Sequence, residues 1–561
     1  MVYPWLTHYP EGVDWNQQFE AKPIYAALDD AVRQWPDNYF LDFFDNKLTY
    51  REVGRLVDSA AKGFQSLGVI PGTKVGLFLP NCPQQVIAFY GVLKAGGTVV
   101  NFSPLYSEPE LLNQIEDSET DIMVTLDLKV LYPKVRTLLA ESRLRRIIVG
   151  GLQDFMPTAK RLLFPLVRRS MIEPVDFDIS HTAFGDLIDN DGAYDPVDID
   201  ADEDIAVLQY TGGTTGVPKG AMLSHGNIYI NAAQATAWGV QFEKGKERTI
   251  GALPFFHAFA MTSVLQLSVM NGGEIILHPR FDLDELMKDT EKKRPTLMAG
   301  VPTMFTAINN HPKASRETLG SLKWCVSGGA PLPEEVKDRF RELTGVEIVE
   351  GYGLSETSPM ATTGLYVGLN KPGSIGLPIP QTKIVIVDKE NPHAILPLGE
   401  AGEICIEGPQ VMKGYWKNEA ATEAVMVDGR FRTGDVGYMD EEGYTFIIDR
   451  MKDMILVGGF NVYPRFVEEA IHKHPAVSEV TVIGVPDEYS GQVPKAFVVL
   501  KNPEESLGEE ALLAFLSEHI GKHEMPREIE FRDELPKTMV GKLSKKELVE
   551  EEIAKQARES A

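Results

Sequence analysis

The chain has few cysteines, and those it has lie far apart. Cys82, Cys325 and Cys405 are the three cysteines among 561 residues, and no CxxC spacing occurs. An odd number of distant cysteines supports neither a disulfide framework nor a cysteine-based zinc site. The amino terminus also lacks a basic region followed by an apolar core, so we predict no signal peptide. Both absences favour a cytoplasmic protein.

Basic residues are also in short supply. The chain has 55 Lys and Arg against 81 Asp and Glu, a formal net charge of -26. This charge opposes binding of nucleic acid, and it requires any anionic substrate to be attracted by a local group of cations. The basic and apolar stretch 160–169, KRLLFPLVRR, is an exception. It predicts either peripheral contact with the inner face of a membrane or a surface helix with its apolar side on the core, and Pro165 is expected to interrupt any helix there.

Charge is absent altogether from one internal segment, residues 250–273. Its length is compatible with a membrane span. However, Pro254, His257, Gln266 and the closing pair Gly272-Gly273 are more typical of a buried helix beside a site. We therefore expect a buried helix here.

Apolar runs alternate with amphipathic stretches through the first ~450 residues, a rhythm typical of parallel sheets covered by helices. Strands are predicted at 74–79, 121–125 and 146–149, and a helix at 84–94 that Gly96 and Gly97 end. The length exceeds that of one ordinary core, so two or more domains are expected. The sequence predicts an α/β fold whose large amino-terminal domain contains parallel βαβ subdomains.

The pattern changes near residue 400 to short alternating strands with glycine turns, which predicts a smaller β-rich subdomain. Beyond about Arg450 it restarts with a helix from Pro464, strands at 478–485 and 496–500, and a helix at 509–520. This order indicates a compact α+β module. We predict an amino-terminal domain at 1–451 and a carboxyl-terminal domain at 452–561.

A strand predicted at 204–210 runs directly into a loop rich in glycine and hydroxyl groups. The loop consists of Thr211, Gly212, Gly213, Thr214, Thr215, Gly216, Val217, Pro218 and Lys219. Backbone N–H groups of such a loop can surround phosphate oxygens, and the Lys219 ammonium adds a positive charge. It is not a Walker A loop, because Lys219 precedes a glycine and not a Ser or Thr. A tight turn that needs glycine only for its backbone is the alternative.

With this loop in view, the chain resembles the adenylate-forming superfamily of acyl-CoA synthetases, luciferases and peptide-synthetase adenylation domains. Further segments similar to those of the family follow in the family's order: PFFHA at 254–258, SGGAPL at 327–332, EGYGLSET at 350–357, TGD at 433–435, DRMKD at 449–453 and PKTMVGK at 536–542. The resemblance implies an ATP-dependent acid:CoA ligase that forms an acyl-adenylate and pyrophosphate, and then acyl-CoA and AMP. It also implies that the carboxyl-terminal domain is a mobile lid hinged at Lys452.

The resemblance also implies the site residues. For ATP and AMP these are Thr211, Gly212, Gly213, Thr214, Thr215, Gly216, Lys219, Gly328, Gly329, Ala330, Glu350, Gly351, Tyr352, Ser355, Thr357, Asp435, Arg450 and Lys452. Glu356, with Thr211 as a weaker second ligand, is implied to hold Mg²⁺, and Gly458 and Gly459 to admit CoA. Tyr352 is implied to face the adenine, and Asp435 and Arg450 the ribose.

Two cations and a histidine are implied to act in catalysis. Lys542 resembles the lysine that bridges the substrate carboxylate and the α-phosphate, while an exposed loop lysine is the alternative. Lys219 is implied to hold the leaving phosphates. His257, with Ala258 and Met261 in the acyl pocket, lies where amino-acid-activating relatives usually carry an Asp, so an acid without an amino group is expected. A histidine satisfied within the core is the alternative.

The apolar surroundings of His257 favour medium- to long-chain fatty acids. An aryl- or branched-acid:CoA ligase, or a fatty acyl-AMP ligase that serves a carrier protein, are alternatives within the enzyme class. Free CoA is the expected acceptor, because the chain ends soon after Leu548 without a carrier domain. A nucleotide-binding relative without catalysis is a more distant alternative, since Lys219, Glu356 and Lys542 are all present. Nothing in the sequence indicates an oligomeric state.

Overall fold

The computed structural model describes residues 3–211, 218–458, 460–487, 489–502, 507–538 and 541–559. Within these ranges it is a mixed α/β structure built on four sheets. Helices cover the two larger sheets, and a small sheet near the carboxyl end carries its own helices. The predicted α/β class is therefore confirmed.

The first large sheet has eight strands among the described residues. In spatial order they are Gly414–Tyr415, Lys219–Ser224, Ile205–Thr211, Thr98–Asn101, Lys74–Leu77, Thr120–Leu126, Arg146–Gly150 and His181–Ala183. All from Ile205–Thr211 to His181–Ala183 run parallel, while Lys219–Ser224 returns antiparallel beside Ile205–Thr211. The carboxyl ends of the parallel strands therefore share one edge of the sheet.

The second large sheet has nine strands among the described residues. Their spatial order is Leu377–Pro378, Met360–Thr363, Ile348–Gly353, Trp324–Gly328, Leu297–Gly300, Arg248–Gly251, Glu274–Leu277, Tyr39–Phe43 and Asn46–Thr49. The register aligns Gly328 with Gly351 at the carboxyl ends of two neighbouring parallel strands. Ligands of open parallel sheets bind at this edge, so the glycines at 328 and 329 are brought beside Tyr352.

The described α-helices are Tyr25–Gln34, Tyr50–Ser66, Pro83–Lys94, Glu108–Ser118, Tyr132–Glu141, Thr158–Val167, Phe184–Ile188, His225–Trp238, Ala258–Ala260, Leu267–Asn271, Leu283–Lys293, Pro302–Asn310, Arg316–Leu319, Glu334–Thr344, Glu419–Val425, Pro464–His472, Glu509–Leu516 and Lys545–Glu559. Local chemistry explains where two of these helices begin or end. Thr49 and Glu52 form a capping box at the start of Tyr50–Ser66, which satisfies backbone N–H groups that the helix leaves unpaired. Gly96, at φ +87°, adopts a left-handed conformation after Pro83–Lys94.

Two five-stranded sheets complete the described fold. The first holds Lys383–Val387, Gly402–Glu407, Arg430–Met439, Met426–Val427 and Thr445–Arg450. The second, after Arg450, holds Phe460–Val462, Ile455–Val457, Gly491–Leu500, Val477–Asp487 and Glu528–Phe531, and it has a hydrophobic core of its own. A separate core is expected of a separately moving unit. The domain boundary at Lys452 stays a prediction.

The uncharged segment 250–273 lies inside the amino-terminal part. After the strand Arg248–Gly251 it forms a continuous helical stretch of Ala258–Ala260, a π-helical turn at Met261–Gln266, and Leu267–Asn271. Most of its residues are buried, as predicted. A π-helical turn inside a helix often accompanies a functional site. Among the described helices, none combines the length and the apolar character that crossing a bilayer requires.

The expectation that Pro165 interrupts the helix at 160–169 is wrong. The helix Thr158–Val167 continues through Pro165. The ring of Pro165 removes only one N–H donor from a short helix close to its end, and the Arg168 N–H still donates to the carbonyl oxygen of Phe164 at 2.8 Å. The helix therefore continues for two residues beyond the proline.

Candidate active site

Two neighbouring strand ends form a wall without side chains. A β-carbon on Gly328 would lie 3.1 Å from the carbonyl oxygen of Gly351 and 3.1 Å from the ring of Phe259. Gly329 follows with φ +82°, a left-handed conformation that favours glycine. Gly328 therefore has no room for a side chain, because the Gly351 carbonyl and the Phe259 ring already fill the space beside its backbone.

Asp435 links three elements on the other side of this wall. Its carboxylate accepts a hydrogen bond from the Tyr352 hydroxyl at 2.6 Å and pairs with Nε of Arg450 at 3.1 Å. Burial raises the pKa of Tyr352, and the charge of Asp435 raises it further, so the hydroxyl stays protonated and donates. The pair holds a buried carboxylate in one orientation, which suits it to accept hydrogen bonds from a polar ligand.

Glu356 is a buried carboxylate beside a cation. The Tyr415 hydroxyl donates to its Oε1 at 2.8 Å, and the Lys219 ammonium lies 5.1 Å from the centre of the Tyr415 ring. Burial raises the pKa of Glu356, whereas the Tyr415 hydrogen bond and the charges of Arg450 and Lys219 lower it. Tyr415 occupies one of its carboxylate oxygens. The second is suited to Mg²⁺, which commonly uses one or two carboxylates and completes its shell with water and substrate phosphates.

Lys542 reaches this wall from the carboxyl-terminal module. A β-carbon on Gly329 would lie 2.4 Å from Cε and 2.8 Å from Nζ of Lys542, so the two residues are in direct contact. The hydroxyl of Thr303 donates to the carbonyl oxygen of Gly541 at 2.7 Å and fixes the backbone beside this lysine. Burial and the charge of Arg450 lower the pKa of Lys542 to about 8, against the opposing effect of Asp435.

His257 lies at the start of the helical stretch and faces the same space. Its Nδ1 accepts a hydrogen bond from the Phe259 N–H at 3.2 Å, which places the ring proton on Nε2. Burial and the nearby charge of Lys542 lower the pKa of His257 to about 3. The imidazole is therefore neutral at neutral pH and does not supply a positive charge to the site.

Comparison with known proteins identifies the family to which this chain belongs. A model described as AMP-binding enzyme matches residues 28–416, and a model described as AMP-binding enzyme C-terminal domain matches residues 467–542. The chain belongs to the AMP-binding enzyme family. The resemblance that the sequence motifs indicated is therefore confirmed.

Individual proteins similar to this AMP-binding enzyme match it over nearly its whole length. A long-chain-fatty-acid–CoA ligase of Bacillus subtilis (strain 168) is 43% identical over 553 residues, covering 98% of each chain. A feruloyl-CoA synthase of Amycolatopsis is 35% identical over 504 residues, covering 89% of this chain and 93% of its own. The crystal structure of an anthranilate CoA ligase in complex with anthranoyl-AMP superposes with a TM-score of 0.86 at 26% identity, covering 97% and 100%.

The structure of this enzyme brings several predicted site residues together. A chain of contacts and charges connects Gly328, Gly329, Tyr352, Asp435, Arg450, His257 and Lys542. Ala258 and the fully buried Met261 continue from His257 along the helical stretch. Thr211 ends its strand opposite Lys219 in the sheet register. The chemical roles assigned to these residues stay predictions.

Other predicted residues are placed differently. The Thr357 hydroxyl is fully buried and lies within hydrogen-bond distance of the backbone carbonyls of Pro359 and Leu354, so it would have to release its bond to one of them to serve a phosphate. Glu350 is a buried carboxylate that accepts from the Leu332 N–H at 3.4 Å, and burial raises its pKa to about 7. Ser355 opens a short 3₁₀ turn, Ser355–Thr357.

The remaining predicted residues divide into two groups. Ala330 is partly buried beside Gly329, Lys452 lies in a turn after Arg450, and Gly458 precedes the strand Phe460–Val462 with φ +56°. Outside the described residues lie Gly212, Gly213, Thr214, Thr215, Gly216 and Gly459.

Sequence reasoning missed three side-chain contacts that shape the site. Tyr415 holds Glu356, Phe259 limits the space at Gly328, and Thr303 fixes the backbone beside Lys542. Each makes its contact with a residue distant in the chain or across a turn, so no local pattern indicates it. Tyr415 lies in the stretch after residue 400 that was predicted to be rich in short strands, but that pattern indicates no contact with Glu356.

Proposed function

We propose that this AMP-binding enzyme joins a medium- to long-chain fatty acid to CoA, using ATP, by way of an acyl-adenylate. The observation that carries the proposal is the contact of Lys542 with Gly329, between the pair Asp435 and Arg450 and the neutral His257. A half-buried cation at this point faces the space where a carboxylate and a phosphate would have to meet. Two anions react there only if their charge is neutralised in the transition state.

In the first step a carboxylate oxygen of the acid attacks the α-phosphorus of ATP. A bond forms between that oxygen and phosphorus, the bond to the bridging oxygen breaks, and pyrophosphate leaves. Lys542 bridges the two reacting anions, and Lys219 attracts the leaving phosphates from the opposite side. Asp435 accepts hydrogen bonds from the ribose hydroxyls, in the orientation that Tyr352 and Arg450 impose.

Glu356 is the proposed ligand of Mg²⁺, with Thr211 a weaker second. The metal would supply neutralisation of phosphate charge when bound. Glu356 is prepared for this role because Tyr415 already fixes one of its oxygens. A nearby cation supports the same carboxylate, since Lys219 lies against the Tyr415 ring.

In the second step the CoA thiol attacks the acyl carbon and releases AMP, with the thiol proton passing to solvent. Lys542 fills space beside Gly329 that the thiol arm would need. We therefore propose that residues after Lys452 rotate as a lid, which withdraws Lys542 and brings Gly458 and Gly459 to the site. The separate core of the carboxyl-terminal module supports a motion of this kind.

Fatty acids are the proposed substrates because the relative from Bacillus subtilis, 43% identical, is a long-chain-fatty-acid–CoA ligase. A neutral His257 supports an acid without an ammonium group, since an imidazole has no negative charge to pair with one. Aryl acids are the second candidate, favoured by the feruloyl-CoA synthase at 35% identity. The cytoplasm is the proposed location, because Cys82, Cys325 and Cys405 are all buried free thiols.

A pyrophosphate release assay tests the proposal. Purified enzyme is offered ATP, Mg²⁺ and a panel of acids from short to long chain, together with aromatic acids, with and without CoA. The proposal expects AMP and acyl-CoA from fatty acids when CoA is present. Turnover confined to aromatic acids would favour the second candidate, and ATP binding without pyrophosphate release from any acid would overturn a ligase activity.

A further inference from the structure

The helix Thr158–Val167 exposes its apolar side chains to solvent. It has no buried residue, and the exposed fractions are 70% for Leu162, 56% for Leu163, 76% for Leu166 and 73% for Val167. At about 100° per residue these four positions occupy one contiguous face of about 140°. Phe164, on the other side, is the residue that packs against the core. The apolar face therefore points away from the protein, contrary to the reading as a surface helix that packs its apolar side inward.

Cations flank this apolar face at both ends. Residues 157–172 contain no Asp or Glu, and Lys160, Arg161, Arg168 and Arg169 are all exposed. Lys160 is held by the carboxylate of Asp45 at 3.2 Å. Arg168 and Arg169 form no ion pair with any residue in the described ranges. Two permanent positive charges are therefore available to an outside partner.

A second segment adjoins the helix. The Lys129 N–H donates to the carbonyl oxygen of Met171 at 2.9 Å, and the neighbouring Val130 is 66% exposed. We call residues 129–130 and 160–171 together the docking surface. It ends there, because the exposed Phe177 is flanked by the exposed acids Asp176 and Asp178.

We infer that the docking surface binds the surface of an anionic lipid bilayer. An exposed helical face of four large apolar residues inserts at the boundary of headgroups and acyl chains, and flanking arginines remain at the level of the phosphates. The net charge of -26 repels the rest of the protein from the same surface. Together these two effects allow one orientation of the enzyme on the membrane.

The place of the docking surface in the fold agrees with a role in substrate supply. The helix follows the carboxyl end of the strand Arg146–Gly150, and Thr211, the last residue of the strand Ile205–Thr211, lies at the same edge of the same sheet. Four strand spacings separate these two strand ends, or about 20 Å. If the acid is a fatty acid, as proposed above, the membrane lies at the same sheet edge as the strand end that precedes the phosphate loop. The binding itself does not depend on the identity of the acid.

Vesicle flotation of the full chain tests the inference, without acid or ATP. Phosphatidylcholine vesicles are compared with vesicles that also contain phosphatidylglycerol. The enzyme is expected to float with the anionic vesicles and to remain unbound with the neutral ones, and added salt is expected to weaken the binding. Binding to neither kind of vesicle, or equal binding to both, would overturn the inference.

Two double variants separate the contribution of the arginines to membrane binding from that of the apolar residues. Arg168→Gln with Arg169→Gln is expected to reduce partitioning about 25-fold, or about fivefold for each cation removed. Leu162→Gln with Leu166→Gln is expected to reduce it at least about tenfold through lost apolar burial. The matched control is Val367→Gln with Leu369→Gln, since these residues are 61% and 70% exposed on a loop outside the docking surface. All variants should keep the unfolding temperature of the parent enzyme.

The same variants exclude another occupant. Light scattering without lipid measures whether the parent enzyme associates with a second copy through this surface. A dimer that Leu162→Gln with Leu166→Gln dissociates would assign the docking surface to self-association and overturn membrane binding. Membrane binding would also be overturned if both double variants of the docking surface floated with the anionic vesicles as strongly as the control variant.

Discussion

The Lys542 ammonium lies in direct contact with the backbone of Gly329, at a point where any β-carbon would come within 2.8 Å of it. Gly329 follows the strand Trp324–Gly328 of the amino-terminal domain, and Lys542 belongs to the last module of the chain. Because Gly329 has no side chain, it leaves room for the cation of Lys542, which lies more than two hundred residues later in the sequence. The contact joins the two parts of the chain at this point.

The first prediction concerns the positive charge of Lys542. Lys542→Ala is expected to lower the rate of adenylation by about 100-fold or more, because it removes the cation that is proposed to bridge the two anions. Thioester formation from supplied acyl-AMP should be largely spared. Pyrophosphate exchange measures the first step, and thioester release measures the second. Lys546→Ala, at a lysine exposed to 55%, is the control, and unchanged exchange in Lys542→Ala would contradict the role.

The second prediction concerns the space that Gly329 leaves for Lys542 by having no side chain. Gly329→Ala places a β-carbon 2.4 Å from Cε of Lys542 and is expected to reproduce the adenylation defect. Gly399→Ala is the matched control, because its φ of +83° is like the +82° of Gly329 while nothing lies within 4 Å of the added carbon. Both should lose about 1 kcal/mol of unfolding free energy. Only Gly329→Ala should lose pyrophosphate exchange; an equal loss in both would assign the effect to backbone strain.

The third prediction follows from the lowered pKa of Lys542. The ammonium is present below its pKa of about 8 and is lost as the pH rises through that value. The kcat/KM for ATP in the adenylation step, which reports the free enzyme, should therefore fall on the alkaline side of about pH 8. Lys542→Arg should remove this fall, even at a lower plateau, because a guanidinium stays charged. An alkaline limb that persists in Lys542→Arg would belong to another group.

The fourth prediction concerns the ribose. Asp435→Asn keeps the shape of the side chain but removes the charge that orders Tyr352 and Arg450. We expect the KM for ATP to rise by about 10-fold or more, since charge-assisted hydrogen bonds are lost. The sharper measurement compares ATP with 2′-deoxy-ATP. The parent enzyme should discriminate between them and Asp435→Asn should not; equal discrimination in both would separate Asp435 from the ribose.

The fifth prediction concerns the proposed hinge. Lys452→Pro fixes φ in the turn after Arg450, whereas Lys452→Ala removes the side chain and leaves the backbone free. If rotation occurs at this residue, Lys452→Pro should slow thioester formation by at least about tenfold while adenylation changes less. Lys452→Ala serves as the control for the side chain. Full ligase activity in Lys452→Pro would place the hinge elsewhere.

Much of the fold could be predicted because the relevant forces act locally. The helix predicted at 84–94 is observed at Pro83–Lys94, and the strand predicted at 146–149 at Arg146–Gly150. Apolar spacing and a glycine stop are sufficient there, since neither depends on distant residues. Pro165 shows the limit of a local rule, because the cost of one lost hydrogen bond did not end the helix Thr158–Val167.

The sequence by itself determined the class of the fold, the family, and most of the residues that meet at the site, because these are carried by motifs and by local periodicity. Tertiary structure alone decided which atoms touch. The partners of Asp435 and Glu356, the neutral state of His257 and the lowered pKa of Lys542 all arise from burial and from charges distant in sequence. Desolvation and charge act through space, so they are determined only when the chain has folded.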